Sequence, residues 1–511
     1  TMYTCGPTVY DAAHVGNFRA FLTYDVLKRW LGVRGYEVRH VLNLTDVDDK
    51  IITRVNEVGG GLRALTEKWE RRFLEDSDRL NIVRAERYPR ATDNIEGIVE
   101  MVETLKKKGF AYEAGDGSWY FAVDRAETYG EFSRINFEDD GVREGGGADE
   151  ESGKRNPRDF ALWKAYKPSD GDVAWESESL GRGRPGWHIE CSCMAIKFLG
   201  PTLDIHAGGI DLVFPHHENE IAQSEAFSGQ RPFARYWVHN GFVNVDSEKM
   251  SKSLGNFRTL EDICAGPEDA RAFRYLVVSS QYRSTLAFSK EALAAARKTV
   301  RRIDGLVEKL EAMGRGHSKE SAEGVAREVE GVVARAREGF EEAMNDDLNT
   351  PRAAAALFMV IKSAEKLLKQ GTLGTADAAV FLGAIRKMDE VFGIFYEPNI
   401  DSPEPQVRPC SFTPDARRRW STRKTHRIFL CILRLLDQST NAGARRPRPL
   451  PGPSHAAPRG ARAKGLGSRR RDPPRNRCRR LHHQGHARGL AAHSRGEVAT
   501  GTAAAALHPF T

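Results

Sequence analysis

Two spacings of apolar residues alternate along the first part of the chain. Residues 2–5 have the pattern of a short strand, and from Asn17 to Gly32 apolar side chains recur every three or four positions, as on one face of a helix. An apolar run from Tyr36 to Leu44 predicts another strand, and a second helix is expected from near Asp48. Strand, helix and strand in close succession predict a βαβ unit, and therefore a parallel sheet.

A different pattern follows this unit. Residues 95–108 have helical spacing, and the aromatic run at residues 119–123 predicts a strand. We interpret residues 95–181 as an insertion between two halves of one α/β domain. The sheet is expected to resume near residues 186–191, which we read as a strand.

The second half of the chain is predicted to be largely helical. Two or three amphipathic helices with alanine-rich faces are expected before residue 395, and periodicity is lost beyond Asp401. The predicted fold class is α/β, with a Rossmann-like parallel sheet followed by a helical bundle. The expected divisions are residues 1–94 with 182–240 (α/β domain), 95–181 (insertion), 241–290 (loop and helical connector), 291–400 (bundle) and 401–511 (tail).

Composition narrows the class of protein. The 511 residues are enough for several domains, and 40% apolar and 29% charged residues are ordinary for a soluble protein. No apolar run of about 18 residues occurs, so no membrane span is expected. Seven cysteines without regular spacing predict no disulfide framework, which favours the reducing cytoplasm. We further expect a monomer, and a chain truncated at its front because a candidate ligand, Cys5, lies so close to Thr1.

Two separated segments have the chemistry of a nucleotide site. Lys249 and Lys252 lie three apart among small and flexible residues, and such a loop can stabilise the charge that develops as a phosphorus–oxygen bond breaks. Far upstream, residues 13–17 form a small-residue turn that contains His14 and leads into the first predicted helix. A helix N-terminus is a natural phosphate site, so the two segments together predict triphosphate binding.

A second constellation could hold a metal ion. His216 and Glu220 lie four residues apart, so on a helix they share one face. With Cys5 and Cys191 they would supply two thiolates, one imidazole and one carboxylate, a set that suits tetrahedral Zn²⁺. Cys193, two positions after Cys191, is an alternative ligand that residue chemistry alone does not exclude.

Several long motifs resemble those of the cysteinyl-tRNA synthetases, a family of class I aminoacyl-tRNA synthetases. The resemblance covers residues 1–400, and its motifs are YTCGPTVYD, NLTDVDDKII, RPGWHIECS, HAGGIDLVFPHHENEIAQSE, KMSKSLGN and MNDDLNTP. It implies one zinc ion, approached by the thiolate of the substrate. The ligands that it implies are Cys5, Cys191, His216 and Glu220.

The resemblance also implies which residues bind the other substrates. ATP, with Mg²⁺, would be bound by His14, Gly16, Asn17, Gly208, Gly209, Asp211, Lys249 and Lys252. L-cysteine would be bound by Gly6, Thr45 and Trp187. The catalytic residues would be His14, Asn17, Lys249 and Lys252. Asn17 replaces the second histidine usual in the family; its amide would donate a hydrogen bond to phosphate, or would only cap the helix.

The implied reaction has two steps. The carboxylate of cysteine attacks the α-phosphorus of ATP, and the aminoacyl group then passes to the terminal 2′-hydroxyl of tRNA(Cys). Serine differs from cysteine by one atom, which shape alone distinguishes weakly. A soft thiolate bonds Zn²⁺ far better than an alcohol does, so the metal can supply the selectivity.

Two alternative functions remain. The first is the related ligase that joins cysteine to an amino-sugar inositol in mycothiol synthesis, and the second is an inactive RNA-binding paralogue. The motif at residues 216–225 and the helical region with residues 344–351 favour the synthetase. Retention of all four metal ligands and both lysines argues against loss of activity.

The tail accounts for the basic character of the chain. Residues 401–511 contain 23 Lys and Arg against 6 Asp and Glu, so residues 1–400 have a net charge of −10 although the whole chain has +7. Such a tail is typical of a disordered nucleic-acid-binding extension. A frameshift near residue 400 is our favoured hypothesis. Residues 463–494 can be translated back into nucleotides with permitted codons. When that nucleotide string is read one base later, it can encode a periodic amino-acid sequence that resembles the C-terminal end of the family.

Overall fold

The computed structural model describes residues 1–135, 153–245, 248–249 and 257–396, and of residues 248 and 249 only the backbone. The expectations for Lys252 and for the tail at 401–511 lie outside the described residues. The strands are β1 (Met2–Thr4), β2 (His40–Leu42), β3 (Ala111–Glu113), β4 (Trp119–Phe121), β5 (Phe160–Ala165), β6 (Gly183–Pro185), β7 (Leu203–Gly209), β8 (Ala234–Asn240), β9 (Val243–Val245), β10 (Glu248–Lys249) and β11 (Leu286–Phe288). The helices are α1 (Val15–Val33), α2 (Asp49–Val58), α3 (Leu62–Arg79), α4 (Ile95–Lys107), α5 (Trp187–Leu199), α6 (Glu218–Ser228), α7 (Leu260–Ile263), α8 (Pro267–Val278), α9 (Lys290–Arg315), α10 (Val325–Asn345), α11 (Thr350–Gln370) and α12 (Thr375–Phe392).

A parallel sheet with the strand order β2-β1-β7-β8 organises the first half of the molecule. The residues of β1 and β2 are all buried, as expected for strands that are covered on both faces. α1 connects β1 to β2 and the two strands pair in parallel, so the predicted βαβ unit is confirmed. The carboxyl ends of the four strands meet at one edge of the sheet, where such folds bind ligands.

Residues 95–185 contain a separate antiparallel sheet with the order β3-β4-β5-β6. Its core is aromatic: the rings of Phe121 and Phe160 are stacked with centroids 5.0 Å apart. α4 and β4 occur where the helical spacing and the aromatic run predicted them. α4 buries Ile98, Met101, Val102 and Leu105.

The prediction of a strand near residues 186–191 was wrong. The chain leaves β6 at Pro185 and enters α5 at Trp187, and β6 belongs to the antiparallel sheet. All eight residues from His188 to Ala195 are buried, so this part of α5 has no polar face and its sequence lacks the alternation that identifies a surface helix. Gly186 allows the turn, because a Cβ there would lie 1.9 Å from the carbonyl oxygen of Ala161.

The helical region contains four long helices in its described part, where the sequence predicted two or three. α9 and α10 are separated by residues 316–324, and α11 ends at Gly371, whose φ of +68° is the left-handed conformation that commonly terminates helices. Because amphipathic helices continue on both sides of each break, periodicity alone did not reveal them. No helix of the described residues is both long and apolar enough to cross a membrane.

The connector contains the expected helices α7 and α8, and also a strand that the sequence did not predict. β11 pairs in parallel with one edge of β9, and β10 pairs antiparallel with the other edge. In this small sheet Lys249 lies opposite Asn244. The backbone of one predicted catalytic lysine is thereby attached to the connector.

Arg274 links the parallel-sheet domain to the helical bundle. Its fully buried guanidinium donates to the carboxylate of Asp25 on α1, to the carbonyl oxygen of Leu80 at 2.8 Å and to that of Phe392 at 2.7 Å. Burial opposes ionisation of Asp25, but the charges of Arg29 and Arg274 outweigh this effect and lower the pKa of the Asp25 carboxyl. The charge of Arg274 is therefore compensated within the core.

Replacing Arg274 with methionine should destabilise the folded chain by about 3–5 kcal/mol, because the substitution leaves the Asp25 carboxylate buried with half of its positive partners. Urea unfolding followed by circular dichroism measures the effect. The control is Arg302→Met, which removes a half-exposed pair with Glu365 and should cost about 1 kcal/mol or less. If the two variants unfolded at the same urea concentration, the structural importance of Arg274 would be contradicted.

Candidate active site

The carboxyl ends of the parallel strands bring the predicted site residues to one edge of the sheet. Cys5 and Gly6 follow β1, and Thr45 follows β2. The backbone N–H of Gly6 donates to the Asn43 side chain at 2.9 Å, and a Cβ at Gly6 would lie 1.7 Å from the Asn43 carbonyl oxygen. Only glycine permits this approach, so the two strand ends are held together.

Four donor atoms converge below this edge. The ligand atoms of Cys5, Cys191, His216 and Glu220 all lie within 4.8 Å of one another. His216 Nε2 is 3.0 Å from Glu220 Oε1, and Cys5 Sγ is 3.8 Å from the same oxygen. All four residues are buried or nearly so. Two sulfurs, one nitrogen and one oxygen in a tetrad of this size fit the donor chemistry of Zn²⁺.

Four segments of the chain supply this tetrad. Cys5 follows β1, Cys191 lies on α5, and Glu220 lies in the first turn of α6. His216 precedes α6 in the turn Val213–His217, whose backbone is extended at Phe214 (φ −136°, ψ 135°). The four-residue spacing of His216 and Glu220 therefore brings their side chains together, although the helix proper starts between them.

The helical form of α5 distinguishes Cys191 from Cys193. Successive helical residues are about 100° apart around the axis, so the two side chains point in nearly opposite directions. Cys193 packs into the core of the antiparallel-sheet region, where a Cβ on Gly97 would lie 3.1 Å from its Sγ. Burial raises the pKa of the Cys193 thiol to about 11. Cys193 is therefore a core residue.

The tetrad has an electrostatic environment suited to a cation. A hydrogen bond from Cys5 lowers the pKa of Cys191 to about 6, while burial and this same hydrogen bond raise the pKa of Cys5. Burial opposes ionisation of Glu220, but His206 and His216 outweigh this effect and lower the pKa of Glu220 to about 2. Burial likewise opposes protonation of His216, yet Glu220 and Cys191 raise its pKa to about 10. These four groups therefore interact strongly with one another, and the deprotonated forms of the thiols and the carboxylate are the ones that bind a metal ion.

Four further histidines surround the tetrad, and the sequence analysis did not identify their roles. His188 Nδ1 lies 2.9 Å from His216 Nδ1, and His217 Nε2 lies 3.5 Å from Cys5 Sγ. The others are His206, next to Glu220, and His239, next to His217. Burial lowers the pKa of His188, His217 and His239, so these three rings are neutral at pH 7. Of these four, His206 and His239 lie on the strands β7 and β8, His188 lies on α5 and His217 lies in the turn before α6, so no spacing along the sequence groups them.

The predicted phosphate site lies at the start of α1. The Nδ1 atom of His14 accepts a hydrogen bond from the backbone N–H of Asn17 at 3.1 Å, and Asn17 Oδ1 accepts one from the backbone N–H of His14 at 3.0 Å. His14 is thus the N-cap of α1, and Asn17, at the third helical position, completes a capping box with it. A contact of Asn17 with phosphate stays a prediction. Because Nδ1 of His14 is an acceptor, the neutral ring carries its proton on Nε2.

The chain returns to the N-terminus of α1 just after the segment that contains Lys249 and Lys252. The backbone N–H of Val15 donates to the carbonyl oxygen of Arg258 at 2.9 Å, and the ring of Phe257 meets the His14 ring edge-on at 4.9 Å. Gly16 lies in the first turn of α1. The two segments in which the sequence analysis placed nucleotide binding are therefore adjacent at their described ends.

The remaining predicted contacts lie around the same edge. Gly208 and Gly209 end β7, and Asp211 follows on an exposed turn. A Cβ on Gly208 would lie 2.5 Å from the ring of His217, so the histidine cluster requires glycine at this position. The indole of Trp187 is 39% exposed and packs against the ring of His216 with centroids 4.4 Å apart.

Thr45 is buried beside α5. Its hydroxyl accepts a hydrogen bond from the Asn43 side chain at 3.2 Å and also hydrogen-bonds the carboxyl of Glu190, the residue before Cys191. Burial raises the pKa of Glu190. Thr45 therefore connects the residues that follow β2 to α5, the helix that carries Cys191.

Solved structures share this architecture. A methionyl-tRNA synthetase from Mycobacterium tuberculosis superposes with a TM-score of 0.54 at 16% identity, covering 77% of this chain and 89% of that one. The LeuRS of Agrobacterium radiobacter superposes with a TM-score of 0.55 at 11% identity, covering 77% and 83%. Residues 1–298 match the catalytic domain of class I (C) tRNA synthetases, and residues 339–396 match the DALR domain. The fold and the site thus define a class I aminoacyl-tRNA synthetase.

Sequence relatives narrow this class. The chain is 41% identical over 449 residues to a cysteine--tRNA ligase of Chlamydia pneumoniae, covering 86% of this chain and 92% of that protein. It is 44% identical over 394 residues to a cysteine--tRNA ligase of Carboxydothermus hydrogenoformans, covering 77% and 82%. The chain belongs to the cysteine--tRNA ligase family. The resemblance found in the sequence motifs is confirmed.

Proposed function

We propose that this chain activates L-cysteine with ATP and transfers the cysteinyl group to tRNA(Cys). The observation that carries the proposal is the convergence of Cys5, Cys191, His216 and Glu220 in a buried tetrad at the ligand edge of a synthetase fold. The curated relatives named above support the choice of amino acid. ATP would enter as its Mg²⁺ complex.

The tetrad is proposed to hold zinc. Zn²⁺, when bound there, supplies a soft acid that bonds a thiolate much more strongly than an alcohol. Trp187 and Thr45 would form the walls and polar contacts of the amino-acid pocket, together with the backbone at Gly6. Because a pocket distinguishes side chains that differ by one atom only weakly by shape, selection against serine would depend on the bond between the substrate thiolate and the metal.

Activation needs no general base, because the carboxylate of cysteine is already ionised. A carboxylate oxygen forms a bond to the α-phosphorus as the bond to the bridging oxygen breaks, and pyrophosphate leaves with the electron pair. His14, with its proton on Nε2, and the backbone N–H groups at Gly16 would donate to the phosphates. Lys249 and Lys252 would neutralise the charge that moves to pyrophosphate.

The other family-implied contacts hold the adenosine. Gly208 and Gly209 would let the nucleoside approach the end of β7, and Asp211 would accept hydrogen bonds from the ribose hydroxyls. Asn17 would act by capping α1, which aims the backbone N–H groups of the first turn at the phosphates. In the second step the 2′-hydroxyl oxygen of the terminal adenosine bonds to the adenylate carbonyl carbon and loses its proton to solvent, while the bond from that carbon to the phosphate oxygen breaks and AMP leaves with the electron pair.

Cysteine-dependent exchange of pyrophosphate into ATP tests the first step, and charging of tRNA(Cys) tests the second. We expect exchange with cysteine and little with serine. Exchange together with ligation to an amino-sugar inositol, but not to tRNA, would favour the mycothiol-type ligase. Absence of exchange in the zinc-loaded chain would overturn the proposal and leave the RNA-binding alternative.

Cutting the chain before Asp401 should leave cysteine-dependent exchange nearly unchanged. All predicted site residues lie between Cys5 and Lys252, so the tail contributes no predicted group to activation. The measurement is the exchange rate of the shortened chain against that of the full chain. A large loss of exchange on shortening would contradict the assignment of activation to this part of the chain.

The full chain should charge tRNA(Cys) poorly and in a strongly salt-dependent manner. A tail rich in arginine attracts phosphate without reading bases, so binding should respond to ionic strength and not to the anticodon. Charging assays at two salt concentrations, with native and altered anticodons, measure this. Efficient charging that falls when only the anticodon changes would mean that the tail forms a specific reader.

A further inference from the structure

We propose that Arg19 is a positioning residue for cysteine activation, because it holds residues 281–284 of the connector, and through them the strand that carries Lys249, against α1. The inference rests on the proposed function, since it assumes that Lys249 acts on phosphates bound at the start of α1. Asp347, in the turn between α10 and α11, is proposed to hold the same connector segment.

The guanidinium of Arg19 contacts two separate parts of the connector. The side chain is 1% exposed and donates to four carbonyl oxygens. These belong to Phe242, to Gln281 at 3.3 Å, to Tyr282 at 3.1 Å and to Ser284. No carboxylate of the described residues pairs with Arg19, and burial lowers its pKa to about 10. Burying a cation without a counter-charge is unfavourable for folding, which favours a role beyond stability.

Arg19 lies one helical turn beyond the predicted phosphate site. It follows Gly16 by three residues on α1, which corresponds to roughly 4.5 Å along the helix axis. Residues three apart also share one face of a helix. Arg19 therefore fixes the connector relative to the backbone N–H groups that would bind phosphate.

The connector segment in turn fixes the small sheet that contains β9 and β10. The backbone N–H of Gly241, just before β9, donates to the carbonyl oxygen of Tyr282 at 2.8 Å. A Cβ at Gly241 would lie 2.6 Å from the carbonyl oxygen of Arg283, so the two segments approach too closely for a side chain. β9 pairs with β10, which contains Lys249. A displacement of residues 281–284 would thus move the backbone of Lys249.

The turn between α10 and α11 holds this segment through Asp347. The Asp347 carboxylate accepts hydrogen bonds from the Tyr282 hydroxyl at 2.7 Å and from Arg283 Nε at 2.5 Å. Asp347 and Leu348 both have the left-handed backbone conformation, with φ of +54° and +51°. This conformation is costly for a leucine, and backbone strain of this kind often occurs at functional positions. The motif at residues 344–351 thereby holds the segment that Arg19 contacts.

Arg19→Lys should lower the rate constant of adenylate formation while leaving ATP affinity nearly unchanged. Arginine presents five N–H donors in a planar fork, whereas lysine has three on one nitrogen and cannot reach both parts of the connector. We expect a loss of about tenfold, since a misplacement of about 1 Å can cost 10²-fold in rate. ATP affinity should change little because Lys249 is expected to act mainly in the transition state.

A double-mutant cycle with Lys249→Ala distinguishes positioning from a purely structural role. If Arg19 acts through Lys249, Arg19→Lys should lower the rate constant by less than about twofold once the lysine is absent. A structural role would give the same loss in both backgrounds. Single-turnover adenylate formation by the full chain measures the rate constant, and a separate titration gives ATP affinity.

Arg29→Lys is the matched control for Arg19→Lys. Arg29 is a buried arginine on the same helix, but its guanidinium contacts Asp25 and the carbonyl oxygen of Asn81. The same substitution there should leave the rate constant of adenylate formation unchanged, whatever it does to stability.

Asp347→Gly tests the other end of the segment, and it decides the inference if Arg19→Lys does not fold. Glycine permits the positive φ and removes both side-chain contacts, so the rate constant should fall by about threefold or more, again only when Lys249 is present. Its matched control is Asp346→Gly, which removes an exposed pair with Arg352 and should have no such effect. Circular dichroism verifies that each variant folds.

Hydrogen–deuterium exchange gives a readout that does not require activity. The backbone amides of β9 and β11 should exchange faster in Arg19→Lys than in the unmodified chain, and Arg29→Lys should not change them. Unchanged amide exchange with an unchanged rate constant in Arg19→Lys, or equal rate losses with and without Lys249, would overturn the positioning role. Absence of cysteine-dependent adenylate formation in the unmodified chain would instead overturn the proposed function, and amide exchange would show separately whether Arg19 holds the small sheet.

Discussion

Replacing Cys191 with serine should remove zinc from the chain and reduce cysteine-dependent pyrophosphate exchange by about 10²-fold or more. Loss of one of two thiolates weakens a metal site by at least as much as loss of a supporting hydrogen bond, which typically costs 10- to 100-fold in affinity or activity. Among the residues that the structure describes, no other cysteine joins the tetrad, and Cys193 packs into the core on the other side of α5. Zinc content and exchange rate should therefore fall together.

Cys193→Ser is the matched control for this prediction. It makes the same chemical change two residues further along the same helix, and it should leave zinc content and exchange unchanged apart from a modest loss of stability. The reverse result, with zinc retained in Cys191→Ser and lost in Cys193→Ser, would exchange the roles of the two cysteines. That result would also mean that α5 is rotated relative to its described position.

Replacing Lys252 with alanine should lower kcat for adenylate formation by about 10²-fold or more while ATP still binds. The reason is that the lysine charge is expected to act mainly on the negative charge that develops on the leaving pyrophosphate, an interaction stronger in the transition state than in the ground state. Single-turnover adenylate formation, with a separate measurement of ATP affinity, distinguishes the two contributions. The same test applies to Lys249.

The control is Lys290→Ala, which removes an exposed lysine at the start of α9 and changes net charge by the same amount. It should leave kcat unchanged. A rise in KM for ATP with unchanged kcat in Lys252→Ala would assign the lysine to ground-state binding instead. Equal losses in both variants would indicate a general effect of charge rather than a role at the site.

The sequence predicted the parallel sheet because the signals for it are local. Each signal arises within a single strand or helix, from the side chains that this element must bury. The signals are the strand pattern at residues 2–5, the helical spacing from Asn17 and the apolar run that includes β2. The same locality explains the His216 and Glu220 pair, since a spacing of four residues is sufficient to bring their side chains together. The motifs then identified the family, because long ordered strings are specific without any knowledge of packing.

The errors occurred where burial removed the local signal. α5 was read as a strand because its first half is buried on every side. The bundle was assigned too few helices because helices of the same amphipathic spacing lie on both sides of residues 316–324 and of Gly371. β11 was missed because a three-residue strand is defined by its partner β9 and not by its own composition.

By itself, the sequence determined the fold class, the family and which residue types could form a metal tetrad. Only the tertiary structure decided between Cys191 and Cys193, because the choice depends on which way a buried helix faces. The tertiary structure alone also brought Cys5, at the end of the first strand, beside His217 and Glu220, which lie more than 200 residues later in the chain. These contacts depend on distances across a sheet and between helices, and no periodicity within one segment contains that information.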